Sequence, residues 1–300
     1  MDAATGSPEA RAPLPGLADP AQDTGIAAVA DLLACPRCRA ALQVWPEGIR
    51  CSGCSSRYPF HEGIPLLAIR GTSETWGQAQ ATEQSSAYQA EYQRVENAAT
   101  YNLAYRDKLL KRSSTRREYE LIARHIARVG RSRVILDLPC GGGRLTAAFA
   151  GSADLVIEAD IALGQLLYGR AESAVATPRA WMTASAFHIP LRDQSVDGTV
   201  SVRLSHHLPT AAERERHLAE LLRVSRRFVI MTFFDHHSLK NRLRQLRRPF
   251  DRQPPKMTMT TARVAEIARA HGARLVDAPP LSRIGSGHRY ALIVRDAVPA

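Results

Sequence analysis

The stretch DLPCGGGR, residues 137–144, places three glycines in a row directly behind an apolar run, Val134-Ile135-Leu136. Glycine costs more conformational entropy on folding than any other residue, so three together need a local reason. The apolar run reads as a short buried strand. The residues after the glycines, Arg144 to Ala150, read as a helix. The glycines therefore sit on a strand-to-helix turn, where an α/β protein brings backbone close to a ligand. Downstream, the chain keeps alternating. Strands are predicted over 133–138, 154–159, 180–184, 197–202, 227–234, 273–278 and 288–295. Helices are predicted over 144–150, 162–174, 211–224, 238–247 and 261–271. This alternation predicts a doubly wound, mostly parallel seven-stranded sheet of Rossmann-like α/β class, with helices on both faces.

A second constraint lies near the N-terminus. Four of the five cysteines form two pairs, Cys35-Pro-Arg-Cys38 and Cys51-Ser-Gly-Cys54, with twelve residues between them. Each C-x-x-C wraps a knuckle around one ion, and two pairs supply the tetrahedral thiolate set that suits Zn²⁺. The segment between the pairs accommodates one hairpin, Gly53 helps the second knuckle turn, and Arg37 and Arg39 are placed to offset the charge of a thiolate centre. Four thiolates leave no open coordination position, so the metal is expected to be structural. Paired disulfides or a redox pair are the competing reading, disfavoured in a cytosolic chain.

The remaining chain divides by composition. Residues 1–28 are rich in Ala, Pro and Gly and read as a disordered tail. Residues 29–69 hold the ribbon. Residues 70–112 are polar with scattered aromatic residues, and read as a helical linker whose rings pack onto the main domain or, alternatively, as a lid in which Tyr101, Asn102 and Tyr105 face a pocket. The main domain spans 113–297. Its first helix is expected to start at Thr115, with Thr115 and Glu118 as a capping box and Tyr119, Ile122, Ile126 and Val129 as its apolar stripe. No stretch approaches a membrane span, and the N-terminus is no secretory signal, so the expected location is cytoplasmic. The net charge of +11 favours an anionic partner.

Two resemblances sharpen these readings. Tyr58-Pro59-Phe60-His61-Glu62-Gly63-Ile64-Pro65-Leu66-Leu67, following the second cysteine pair, resembles a family of small zinc-ribbon proteins that activate tRNA, rRNA and release-factor methyltransferases. The resemblance implies a β-rich module that docks on, or precedes, a methyltransferase domain. VILDLPCGGGR in turn resembles motif I of class I S-adenosylmethionine-dependent methyltransferases, with Pro139 standing where that frame usually carries glycine. It implies that Asp137, Gly141 and Gly143 cradle the amino-acid end of the cofactor. Asp160, closing the next strand, would hold the ribose hydroxyls, and Ser185 and Ala186 would flank the adenine. Arg203 would back the methionine portion. The G-x-G-x-x-G fingerprint of nicotinamide enzymes is missing.

Candidate substrate-side residues follow the fourth and fifth strands of the domain: His206, Asp235 and His236. Asp235 reads equally as the cap of the helix beginning near Ser238. Lys240, Arg242, Arg244, Arg247 and Arg248 suggest a phosphate-tracking surface for RNA, or simply a solvated helix face. No N-P-P-Y motif is present, which argues against amide and adenine-N6 acceptors. The substrate is thus expected to be RNA or, alternatively, a small metabolite. A non-catalytic, cofactor-binding activator is the reading from another class.

Overall fold

The computed structural model describes residues 25–69, 98–100, 102, 109–172, 174–247, 257–282 and 284–296. The tail before residue 25, Trp76, the linker tyrosines, Tyr101, Tyr105 and Arg248 lie outside these.

The N-terminal part opens with 3-10 turns over Ile26–Leu32, which bury Ile26, Val29 and Leu32. A hairpin of β1 (Leu42–Trp45) and β2 (Gly48–Cys51) follows, and β2 pairs with β3 (Arg57–Tyr58). β4 (Phe60–His61) and β5 (Ile64–Pro65) close a second small antiparallel pair.

Helix α1 (Leu109–Val129) leads into β6 (Ser132–Asp137). Then come β7 (Ala153–Asp160), α2 (Leu163–Glu172), β8 (Arg179–Thr183) and β9 (Val196–Ser201). The chain continues through α3 (Ala211–Val224), β10 (Ser225–Phe234), α4 (Leu239–Arg247) and α5 (Thr261–Ala270) to β11 (Ala273–Asp277) and β12 (His288–Arg295). The large sheet has the order β11-β12-β10-β9-β6-β7-β8. Strands β8, β7, β6, β9 and β10 are parallel neighbours, and β12 runs antiparallel to both β10 and β11. The strand order reverses at β6, so the glycine turn stands at the switch point where open α/β sheets bind ligands.

Both sheet faces are covered, as near-continuous apolar strands require. Ile135, Val200 and Phe228 pack beneath Leu121, Ile122 and Ile126 of α1. Val134, Leu136 and Met231 point the other way, into a core completed by Leu218 and Leu222 of α3 and Val264 of α5. Helix α3 starts at a full capping box, Thr210 with Glu213.

Two local expectations fail. The segment after the glycines forms two short 3-10 turns, Thr146–Ala148 and Ala150–Ser152, rather than an α-helix over 144–150. Thr146, Ala147, Ala148 and Ala150 leave too short an apolar stripe before the glycine at 151 to propagate a helix. Helix α1 runs through Thr115, so Thr115 and Glu118 form no capping box.

The ribbon is not a separate bead. Ile26, Leu33, Ile49 and Leu67 belong to the same apolar core as Met182, Ile189, Leu191 and Leu222. Leu33 bridges Leu191, Leu66 bridges Thr183, and Ala68 N donates to Thr183 Oγ1 at 3.1 Å. Arg39 pairs with Glu220 of α3 at 2.8 Å, an interdomain tie rather than a counter-charge for the thiolates.

Gly198 on β9 faces Phe228 of β10, and a Cβ there would come within 2.2 Å of the ring. Gly198→Ala should lower stability by about 1–3 kcal/mol in urea titrations, and adding Phe228→Leu should recover part of the loss. A Gly198→Ala protein as stable as wild type would contradict this packing.

Candidate cofactor cleft and metal centre

The two knuckles bring Cys35, Cys38, Cys51 and Cys54 together, with all four Sγ atoms within 4.8 Å of one another. Cys38 and Cys51 Sγ lie 3.4 Å apart, and Cys35 and Cys54 Sγ 3.7 Å apart. A tetrahedral zinc–thiolate centre needs about 3.8 Å between sulfurs, so the set fits the ion and not a disulfide. Gly53 N and Cys54 N both donate to Cys51 Sγ, at 3.3 and 3.4 Å. The Tyr58 hydroxyl lies 3.2 Å from Cys35 Sγ. A Cβ on Gly53 would meet Ala40 at 2.7 Å, which explains the glycine in the second knuckle. Cys51→Ser should lose the bound zinc and lower the melting temperature of the whole chain, because the ribbon shares the main core. Elemental analysis with a thermal melt reads both.

At the carboxyl end of β6 the chain turns through a cis Leu138–Pro139 bond into the glycines. Gly141 and Gly143 take φ of +57° and +71°, where side chains are strained. The three glycines do different work. At Gly141 the nearest atom to an added Cβ is Gln165 Oε1 at 3.8 Å, so the constraint is its backbone conformation. At Gly142 the constraint is space: Asn102 Nδ2 would lie 2.4 Å away and Tyr168 Cδ1 2.7 Å. Asn102 is anchored there by donating to Gln165 Oε1 at 3.1 Å.

Asp160, at the end of β7, brackets the turn. Its Oδ2 accepts from Gly141 N and its Oδ1 from Ala162 N, both at 2.9 Å. Burial pushes its carboxyl up to about 6, with these backbone donors opposing the rise. Asp137 is also buried and lies well above the ordinary carboxylate range, raised by burial and then by Glu158 and Asp160. Glu158 itself is pushed up to about 7 by burial. The cleft floor is therefore a cluster of three carboxyl groups, of which sequence reasoning identified two. Glu158 was hidden because it reads as one more position of an alternating strand.

Ser185 accepts from Phe187 N at 3.3 Å, which holds the loop after β8 turned. Ala186 O faces Nδ1 of the buried His217 at 3.4 Å. Burial lowers His217 to about 4, so the ring is neutral, and its other nitrogen lies 3.0 Å from Ser201 Oγ.

Arg203 follows β9 with φ +64°. Its guanidinium ion-pairs with Glu118, which is fully buried in α1. Arg144, just after the glycines, reaches the other oxygen of Glu118 at 2.7 Å. One buried carboxylate thus fixes two cations beside the glycine turn, and the three groups together carry a net positive charge. Glu118, read from the sequence as part of a capping box, is instead the shared partner of these two arginines. Glu118→Ala should destabilise the fold by about 3–5 kcal/mol in chemical denaturation, because two partly buried guanidinium groups lose their partner. Loss of the exposed neighbour Glu120 should cost under about 1 kcal/mol.

On the substrate side, the structure places His206 in a ring cluster. Its centroid lies 4.5 Å from Phe234 and 4.8 Å from His288, and Phe234 lies 4.1 Å from His288. His288 enters from β12, far away in sequence and without any motif to announce it. Asp235 is buried and committed: Oδ2 takes Arg289 Nε at 2.6 Å, and Oδ1 accepts from His237 N at 3.0 Å. His236 is exposed and contacts Thr258 Oγ1 at 3.1 Å. Lys240, Arg242 and Arg244 lie on α4, and the Arg247 side chain is outside the described residues.

Residues 136–231 match a family described as "Methyltransferase domain". Those residues read as a methyltransferase domain. The chain resembles, over 70% of its length and 100% of the other, the magnesium protoporphyrin IX methyltransferase of Synechocystis PCC 6803 with bound SAH (15% identity, TM-score 0.59). The SAM-bound form of that enzyme gives a TM-score of 0.55, over 72% of this chain and 99% of the other, at 15% identity. A chain from the complex of the Haloferax volcanii Trm112 methyltransferase activator with a putative methyltransferase matches at 13% identity and TM-score 0.51. That match covers 70% of this chain and 99% of the other. No curated protein matches the sequence. The cleft combines glycine backbone at the turn, a buried acid at the end of β7 and two guanidinium groups held by Glu118. Among the described residues no helix is long and apolar enough to cross a membrane.

Proposed function

We propose that this methyltransferase acts on a small molecule whose acceptor atom is presented beside His206. The observation that carries this reading is the His206–Phe234–His288 ring cluster at the carboxyl ends of β9 and β10. It supplies a wall for a flat or apolar group and an imidazole within it. When bound, S-adenosylmethionine supplies a methyl group activated by its sulfonium.

The chain's own residues align and desolvate. Asp160 would accept from the ribose hydroxyls with the lone pairs left beside its two backbone donors. Gly141 and Gly143 would let the turn approach the amino-acid end, and Asp137 would hold its ammonium. Ser185 and Ala186 would border the adenine. Arg203, held by Glu118, would back the methionine portion. His206 takes the proton that the acceptor atom loses, and its ring neighbours exclude water. Asp235, spent on Arg289 and the loop backbone, positions that loop. A cytoplasmic location fits the four reduced thiols.

RNA is the second reading, favoured by Lys240, Arg242 and Arg244 on one helix and by the Trm112-associated likeness. Incubation with methyl-labelled S-adenosylmethionine and host extract separates the two. Label is expected in the small-molecule fraction. Label in RNA would transfer the assignment, and cofactor binding without any labelled product would make the protein a non-catalytic activator.

Two further outcomes follow. His206→Ala should lower kcat by about a hundredfold or more while leaving S-adenosylhomocysteine affinity unchanged. For Asp160, with its carboxyl at about 6 in the free protein, the ionised form that accepts two hydroxyls is lost below that pH. Calorimetric affinity for S-adenosylhomocysteine should therefore fall by about tenfold per pH unit below pH 6. Asp160→Ala should bind weakly with that pH dependence removed.

A further inference from the structure

Helix α4 faces the wrong way for an ordinary surface helix. Its inner side is fixed by Asn241, which is 3% exposed and donates through Nδ2 to Asp235 O at 2.7 Å. At 100° per residue, Leu239 and Leu243 point about 160–200° away from Asn241, straight outward. They are 48% and 45% exposed. Ile284, 73% exposed, lies on the loop before β12, and Lys240 Nζ holds that loop to α4 through Gly285 O at 2.9 Å. Only four large apolar side chains are exposed among the described residues, and three of them are these. A single exposed leucine needs no explanation, but three on adjoining segments do.

The charge beside them is of one sign. The sequence of α4, LKNRLRQLR, holds four basic residues and no acid. Lys240 and Arg242 flank the leucines, and Arg242 is exposed. Nucleic acid would use the cations and leave the leucines in water. An acidic protein would need apolar and anionic groups in matched register. An anionic bilayer satisfies both features at once: apolar side chains enter the acyl boundary while lysine and arginine meet phosphate headgroups.

We propose that the outward face of α4, with Ile284, docks the protein on an anionic lipid surface. Helix α4 follows β10 within a few residues of Phe234, so docking turns the ring cluster at the cleft mouth toward the membrane. The inference concerns the surface and does not depend on which molecule is methylated.

Co-sedimentation of the zinc-loaded full chain with vesicles tests it. Binding is expected to vesicles of phosphatidylglycerol mixed with phosphatidylcholine, not to phosphatidylcholine alone, and to weaken as salt rises. Leu239→Asp with Leu243→Asp should reduce vesicle affinity by about tenfold or more, since two leucines no longer enter the lipid. Both positions face solvent, and unchanged S-adenosylhomocysteine affinity certifies the fold. Trp45→Asp, at the fourth exposed apolar side chain, should leave vesicle binding unaltered. No binding to either vesicle, or binding that the double variant retains, overturns the proposal. So does RNA retention that Arg242→Glu abolishes and the leucine variant keeps, and so does a self-association that the leucine variant dissolves without any vesicle binding.

Discussion

The Asp160 carboxylate accepts hydrogen bonds from Gly141 N and Ala162 N and so ties the end of β7 to the turn after β6. Those two strands are parallel neighbours, and beyond their ladder Cys140 N, donating to Ala159 O at 2.9 Å, helps hold the turn to β7. A buried carboxylate with two backbone donors does so at the point where the sheet reverses order. The glycine conformations, the close approach of Asn102 and the opening of the cleft follow from that bracket. The cost is a charge in a buried place beside Asp137 and Glu158, and it registers as raised carboxyl titrations. Under the proposed function, the cofactor's ammonium and ribose hydroxyls would be the groups that relieve it.

A second polar unit lies beside the glycine turn. Glu118 from α1 takes Arg144 from the glycine turn and Arg203 from the end of β9, tying the helix to loops that leave two neighbouring strands. Neither unit is optimal for stability alone, since burying ions is expensive. Both make sense where a charged ligand must be met by groups already in place, with no reorganisation left for the moment of reaction.

The sheet was legible because its strands are continuous apolar runs separated by turn residues. The cysteine pairs were legible because metal geometry dictates their spacing. Positions set by contacts distant in sequence were not. Glu118 mimics a helix cap when only its neighbours are visible, and its real partners lie 26 and 85 residues away. His288 joins His206 only because β12 inserts next to β10. Arg39 looked like a counter-charge for thiolates and instead reaches across to Glu220. In each case local chemistry allowed two roles, and tertiary packing selected the other one.

The shared core of ribbon and sheet has a consequence for metal supply. Ile49 lies inside the loop that zinc would close and Leu33 and Leu67 flank it, and all three belong to one core with Met182 and Leu191 of the sheet domain. Free energy released on metal capture is therefore spent partly on ordering the catalytic half. Scarcity of zinc would act on this protein as a fall in the folded population, graded with free metal concentration, before any change in the chemistry of its cleft.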